Sequence, residues 1–408
     1  MSWLTGLGEF LLDGSIVAGC LLFAGANLNA VFSVLRVPRL SSFSAIGDVE
    51  AARNGSPAAE RRWPLVSVIA AARNEGTTIE AAMRQLLRTD YPNLELVLVD
   101  DRSEDETGHI ADQLALEDPR VRVVHVTELP PGWLGKVNAL HQGTERASGD
   151  FFLFTDADVH LERGALRRAM TLAENEQLDH LAVLPHVAGK TLAVRVVIAA
   201  FGIAYLARLP VVRIGAPGSA AFAGVGAFGL VRRTAFERTE GWSWLRMEIA
   251  DDLGLAMMVV RQARGRGGFA TGGDQIRVEW YENLPEMVRG LEKNGFAAMA
   301  GFSWSKAALL AAVVPACSLM PVLAFLVPLP WLWLAGVIYF ATLPLVAAAF
   351  SSTLRQDWVA SLLGLLGVPV LGWAVARSAW QAWRTGHVSW RGTKYSLAEL
   401  RSGRRVML

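Results

Sequence analysis

Apolar and polar positions divide this chain into three zones. Residues 14–35 (GSIVAGCLLFAGANLNAVFSVL) carry no charge. At 1.5 Å per residue they are long enough to cross about 30 Å of hydrocarbon. A cleaved signal peptide would place basic residues before such a run. Here Glu9 and Asp13 precede it, so the run reads as an uncleaved anchor. Between 64 and 300, short apolar runs alternate with amphipathic stretches. LVSVIAA (65–71), LELVLVDD (94–101), VRVVHV (121–126) and DFFLFTDAD (150–158) read as strands, and 76–89, 104–117 and 136–147 as helices. Strand and helix in alternation predict an α/β domain with a mostly parallel, doubly wound, Rossmann-like sheet. From 307 the chain is apolar again, in three stretches, 307–328, 331–350 and 357–380. Trp331, Trp333, Trp358, Trp373, Trp380 and Trp383 there suit an aromatic belt at a membrane surface. One further stretch, 191–212, is apolar but interrupted by Arg195 and Arg208. It reads as a helix in the membrane interface or as a core helix, and both readings stand.

The expected organisation is a transmembrane anchor over 1–36, a linker over 37–63, an α/β domain over 64–300, a C-terminal membrane region of about three segments over 301–383, and a basic tail over 384–408. Arg36, Arg39, Arg53, Arg61 and Arg62 follow the anchor. The excess of positive charge on cytoplasmic loops then places the N-terminus outside and the α/β domain in the cytoplasm, on an inner (cytoplasmic) membrane. Three more crossings would carry the tail outside, yet it holds Arg384, Arg391, Lys394, Arg401, Arg404 and Arg405. One C-terminal segment is therefore expected to be re-entrant or interfacial.

Composition agrees with a membrane-attached enzyme or scaffold. Hydrophobic residues make up 52% and charged residues 19%, against about 25% charge in soluble domains. A net charge of +1 gives no sign of a nucleic-acid partner. Cys20 and Cys317, both in apolar stretches, provide no disulfide framework and no cysteine zinc site.

Candidate chemistry collects where strands end, which is where open α/β sheets bind ligands. Arg73-Asn74-Glu75 follows the first strand, Asp100-Asp101 ends the second and Asp156-Ala157-Asp158 ends the fourth. A strand-end acid such as Asp100 or Asp101 suits ribose hydroxyls or a base N–H, although Ser103 and Asp105 beside it also suit a helix cap. Asp156 and Asp158, two apart on extended backbone, point to one side. They suit a hard cation, Mg²⁺ or Mn²⁺, held through oxygen, or else a solvated turn. Gly135-Lys136 lies near a helix start, a place that favours phosphate. Asp251-Asp252 opens an amphipathic stretch, where acids complement the helix dipole or, near an acceptor hydroxyl, act as a general base. Arg289 and Lys293 fall on one helix face, as membrane-interface anchors or as a clamp on a leaving diphosphate.

In order, Ala71-Ala72-Arg73-Asn74-Glu75, Val99-Asp100-Asp101, Gly135-Lys136, Asp156-Ala157-Asp158 and Ala250-Asp251-Asp252 resemble family-2 glycosyltransferases of the GT-A fold, over residues 64–300. Pro131-Gly132-Trp133-Leu134-Gly135-Lys136 and Val388-Ser389-Trp390-Arg391-Gly392-Thr393-Lys394-Tyr395 are similar to elements of membrane-anchored members that glycosylate lipids: the hopene-associated, carotenoid-acid and ceramide types. The resemblance implies a nucleotide-sugar site of Ala71, Arg73, Glu75, Asp100, Asp101, Lys136 and Asp156, with Arg289 or Lys293 at the phosphates. It implies a metal at Asp156 and Asp158, with Asp252 as the base of an inverting transfer and Asp251 as its alternate. The donor would be a nucleotide sugar, UDP-linked by expectation, and the acceptor a membrane lipid. The chain departs from the family in lacking a Gln-x-x-Arg-Trp element; Met287 to Asn294 stands in that region. That departure weighs against a processive polysaccharide synthase, the first rival reading. The second, a non-catalytic membrane scaffold, does not require the acids.

Overall fold

The computed structural model describes residues 2–43 and 63–407. Most of the expected linker, with Arg53, Arg61 and Arg62, lies outside the described residues.

Eight strands form one sheet: β1 (Val66–Ala72), β2 (Leu94–Asp101), β3 (Val121–Val126), β4 (Phe151–Asp156), β5 (His160–Leu161), β6 (His180–Ala188), β7 (Gly229–Arg232) and β8 (Gly267–Glu279), in the order β3-β2-β1-β4-β7-β6-β8-β5. The four strands read from the sequence pair in parallel, β3 with β2, β2 with β1 and β1 with β4. β7 runs antiparallel to both β4 and β6, so the sheet is mixed. β1 and β2 are apolar throughout because both faces are covered. Val66, Val68, Ala70, Leu96 and Leu98 pack toward Ile79, Met83 and Leu166 on one side. Ile69, Val97 and Val99 pack toward Val137, Leu140 and Trp242 on the other. The alternation is the two-residue period of a strand, with apolar residues on both phases.

Strand register makes the site. Ala72 pairs with Asp100 and Ala71 with Asp156. The carboxyl ends of β2, β1 and β4 are therefore level, and their polar residues emerge side by side.

Among the described residues, three helices are long and apolar enough to cross a membrane: Leu12–Arg36, Trp304–Leu323 and Pro330–Leu354. The first is tied to the sheet beyond its end: Thr271 N–H donates to Pro38 O at 2.9 Å, and Arg39 donates to Thr353 Oγ1 at 2.9 Å. Asn27 Nδ2 donates to Thr342 Oγ1 at 2.8 Å between the first and third, so neither buried polar group is left alone. The stretch 357–380 is divided among a short helix Trp358–Leu362, a 3₁₀ turn Gly364–Gly367 and a helix Val368–Thr385.

The apolar stretch with two arginines forms the helix Leu192–Arg208, with Val194, Val197, Ile198 and Ala200 buried against Leu371 and Ala374 of the helix Val368–Thr385. Arg195 is accommodated by an ion pair with Asp357 at 3.1 Å. This is a core helix of the assembled chain.

The basic tail folds back onto the domain. β9 (His387–Trp390) and β10 (Thr393–Ser396) form an antiparallel hairpin, followed by a helix Leu397–Gly403. Val388, Tyr395 and Leu400 belong to the same buried cluster as Trp242 and Phe296.

Candidate active site

The loops after β1 and β2 are sewn together by backbone-to-side-chain bonds. Asn74 N–H donates to Ser103 Oγ at 3.0 Å, Glu75 N–H to Thr107 Oγ1 at 2.8 Å, and Glu104 N–H to Asn74 Oδ1 at 2.8 Å. Asn74 and Arg102 both sit at positive φ, +53° and +55°. Left-handed backbone in a non-glycine residue is held only by surrounding contacts, and such residues gather at ligand sites.

Asp101 is buried between two arginines. Arg102 donates to both of its oxygens, at 2.7 and 3.0 Å, and Arg73 Nη1 lies 4.0 Å away. Asp100 accepts from Ser103 N–H at 3.2 Å and stands 3.0 Å from His125 Nδ1, whose Nε2 is 3.0 Å from Asp112. Hydrogen bonds from Asp100 and then Asp112 raise the His125 pKa. The added stability is complete below the unfolded pKa and is lost as pH rises through the higher folded value. Gly135 closes this corner: a Cβ there would lie 2.5 Å from an Asp101 oxygen.

The centre of the site is a salt-bridged cluster. Lys136 Nζ stands 2.8 Å from Asp156 Oδ1 and 3.2 Å from Asp251 Oδ2. Burial opposes the lysine charge, but Asp156 and Asp251 overcome it and hold the pKa above the usual lysine range. Asp252, next along the helix Asp251–Arg261, accepts from Leu253 N–H at 2.8 Å. Burial and then the Asp251 charge push its carboxyl pKa up to about 6, against the pull of Lys136. Asp158 is pushed up to about 7 by burial, then by Asp156 and Glu75.

Several contributors were not readable from the sequence. The loop between Ala221 and Phe228 covers the cluster: a Cβ on Gly226 would lie 3.3 Å from Asp156 Oδ2 and 3.6 Å from Lys136 Nζ. A Cβ on Gly224 would lie 2.3 Å from the Asp252 carbonyl oxygen. Gly224→Ala must therefore displace the start of the Asp252 helix, and a melting temperature below that of the wild type in a thermal-unfolding scan is the expected result. Tyr205, on the core helix, donates to Gly224 O at 3.0 Å. Glu248 accepts from Ala250 N–H at 3.0 Å, from Arg405 N–H at 2.6 Å and from Val406 N–H at 2.9 Å, tying the tail to the segment that leads into Asp251. Arg391, at the hairpin turn, is hydrogen-bonded to Glu75. A short Gly-x-Gly was the only available signal for the covering loop; the hairpin was marked by the Val388 to Tyr395 element, but its contacts with Glu75 and Gly135 were not.

The structure thus gathers Arg73, Glu75, Asp100, Asp101, Lys136, Asp156, Asp158, Asp251 and Asp252 along one edge, with Ala71 beneath Asp156. Arg289 is exposed on the helix Leu284–Asn294 and makes no ion pair with these acids among the described residues. The Lys293 side chain lies outside the described residues.

The fold so placed is GT-A. In comparison with known proteins, residues 67–238 match the family described as Glycosyl transferase family 2. It is 32% identical over 122 residues to a Beta-monoglucosyldiacylglycerol synthase of Trichormus variabilis, covering 29% of this chain and 26% of that protein. It is 32% identical over 118 residues to a GalNAc(5)-diNAcBac-PP-undecaprenol beta-1,3-glucosyltransferase of Campylobacter jejuni, covering 29% of this chain and 37% of that one. The chain spans a third or less of the length of the first curated relatives it matches. Among solved structures, the mannosyltransferase PcManGT of Pyrobaculum calidifontis, in complex with GDP-Man and Mn2+, superposes with a TM-score of 0.50 at 19% identity, covering 87% of this chain and 99% of that one.

Proposed function

We propose that the chain is an inverting glycosyltransferase that moves a sugar from a nucleotide sugar, UDP-linked by expectation, to a membrane lipid. The observation that carries this reading is the cluster of Lys136 with Asp156 and Asp251 at level strand ends, with Asp252 beside it. Asp251 is committed to Lys136, whereas Asp252 accepts from its own helix and has a carboxyl pKa near the working range of a base. Asp252 takes the proton from the acceptor hydroxyl or carboxyl. The acceptor oxygen attacks the anomeric carbon in line, the bond from that carbon to the donor phosphate oxygen breaks, and the nucleoside diphosphate departs. Lys136 keeps Asp156 and Asp251 apart from this proton and fixes the helix that carries the base. Arg73 faces the same edge with its Nε and Nη1 buried and without a hydrogen-bond partner, as suits a group reserved for an anion.

The acids at the mouth fit a divalent cation in chemistry. Asp156 and Asp158 offer hard oxygen donors, and burial, then the charges of Asp156 and Glu75, raise the Asp158 pKa. Mg²⁺ or Mn²⁺ held there would offset the charge of the departing diphosphate.

The lipid acceptor is supported by the apolar helices that frame the domain and by the named activities of the two relatives. The tail supports the cytoplasmic placement. Because the β9–β10 hairpin packs on the catalytic domain, an even number of crossings must separate them, and Trp304–Leu323 and Pro330–Leu354 supply two. The basic tail and the domain then share the cytoplasmic face, which satisfies the charge rule with Val368–Thr385 left at the interface. In a background with Cys20 and Cys317 replaced by serine, cysteines at Glu104 and Ser402 should react with a membrane-impermeant maleimide from the same face, and one at Val327 from the other. Labelling of 104 and 402 from opposite faces overturns this topology.

The deciding assay is nucleotide release from UDP-, GDP- and dTDP-sugars by detergent-purified protein with total membrane lipid, with Mn²⁺, Mg²⁺ or chelator. The expected result is lipid-stimulated, chelator-sensitive release lost in Asp252→Asn. Polymer formation without lipid would favour a polysaccharide synthase, and no turnover with any donor would favour the scaffold reading.

A further inference from the structure

The turn of the β9–β10 hairpin carries an arginine where turn geometry disfavours one. Trp390 pairs with Thr393, leaving Arg391 and Gly392 as a two-residue connection, with φ of +47° and +79°. Positive φ at both positions is the turn that favours Asn-Gly or Gly-Gly. An arginine there is strained, and strain of this kind is kept where the side chain has work at a site.

The hairpin is fixed so that this side chain reaches the donor edge. At its base, buried Tyr395 accepts from Gly135 N–H at 3.1 Å, one residue before Lys136. At its tip, Arg391 is hydrogen-bonded to Glu75, and a Cβ on Gly392 would lie 3.9 Å from Arg73 Nη2. The Arg391 side chain is 53% exposed while Glu75 is 18% exposed. One carboxylate therefore holds a guanidinium that still opens to solvent, beside the unpartnered nitrogens of Arg73.

The cations at this edge are not equivalent. Lys136 is occupied by Asp156 and Asp251, and Arg102 by Asp101. The other two are Arg73, 4.0 Å from Asp101 but with Nε and Nη1 making no hydrogen bond, and Arg391, half exposed with Glu75 as its partner. A guanidinium offers a planar fork of donors that matches phosphate oxygens. Arg391 enters from a segment 316 positions away from Glu75 and outside the matched family segment.

We propose that Arg391 is a donor-contacting residue: the hairpin tip presents its guanidinium to the diphosphate of the bound nucleotide sugar, which displaces Glu75 as its partner. This rests on the nucleotide-sugar reading above and deepens it, since it gives the tail a share of the donor site that the chain, without Gln-x-x-Arg-Trp, otherwise lacks.

The test is calorimetric binding of UDP, GDP and dTDP, each beside its nucleoside, to the full chain in detergent. Arg391→Ala should weaken the diphosphate that the wild type binds best by about tenfold or more and leave its nucleoside unchanged. Arg391→Lys, which keeps the charge without the fork, should fall between. Diphosphate affinity unchanged in Arg391→Ala overturns the proposal. An equal loss of nucleoside and diphosphate also overturns it, since the hairpin would then be structural support alone. A wild type that binds none of the three diphosphates overturns the donor reading itself, and this proposal with it.

Discussion

Asp252→Asn should lower turnover by about 10²- to 10⁴-fold, the range a positioned general base supplies, with nucleotide binding almost unchanged. The substitution keeps the shape and the acceptor oxygen that takes the Leu253 N–H, so the helix start survives. Two further readouts separate a lost base from a damaged site. In the wild type, kcat/KM should rise with pH through about 6 as the Asp252 carboxyl ionises, and this limb should vanish in the variant. Stability should move the opposite way. A carboxyl whose folded pKa is raised stabilises the fold below its unfolded pKa and loses that contribution as pH rises through about 6. At pH 8 the wild type carries a buried charge that asparagine lacks, so Asp252→Asn should melt higher than the wild type at pH 8, with a smaller difference at pH 4. A variant of full activity would remove Asp252 from the mechanism and leave Asp251 to be tested.

Lys136→Met should damage stability and chemistry together. Removing one partner of a buried ion pair costs about 3–5 kcal/mol. Asp156 is 40% exposed on its side chain, so solvent screens part of that, and about 2–3 kcal/mol is expected here. The methionine leaves Asp156 and Asp251 facing each other without a cation. Lys136 also pulls the Asp252 pKa down. Its loss should therefore shift the acid limb of kcat/KM to higher pH in whatever activity remains. Lys136→Arg should not restore function, because Gly226 and the two carboxylates close on the ammonium and leave little room for a guanidinium. A melting temperature and pH profile identical to the wild type would show that the cluster is incidental.

The parts of the site that could be read in the sequence are those built by local rules. Apolar runs ending in Arg73-Asn74-Glu75, Asp100-Asp101 and Asp156-Ala157-Asp158 mark strand ends, and parallel pairing brings strand ends level. The same logic does not reach β7, a short strand that inserts antiparallel between β4 and β6. Nor does it reach Arg289, whose helix face was legible but whose want of an ion pair with these acids, among the described residues, was not. Helix Leu192–Arg208 was ambiguous because its arginine is made tolerable by Asp357, far along the chain. The covering loop was silent for the same reason, and the hairpin, marked as an element, gave no sign of what it would touch. Gly224 matters through one carbonyl oxygen of Asp252, and Tyr395 through one N–H of Gly135, and contacts of this kind leave no period or composition behind.

The pairing of Glu75 with Arg391 bears on how this protein comes to be made. The two halves of that contact are separated by 316 positions, and both C-terminal apolar helices lie between them. The sheet can form while the later segments are still being synthesised, but the donor edge stays open until those helices are in place and the hairpin returns. Long-range closure of this sort is slow and comes late in folding. A chain stalled before those helices are placed would hold a formed sheet without the contact between Glu75 and Arg391.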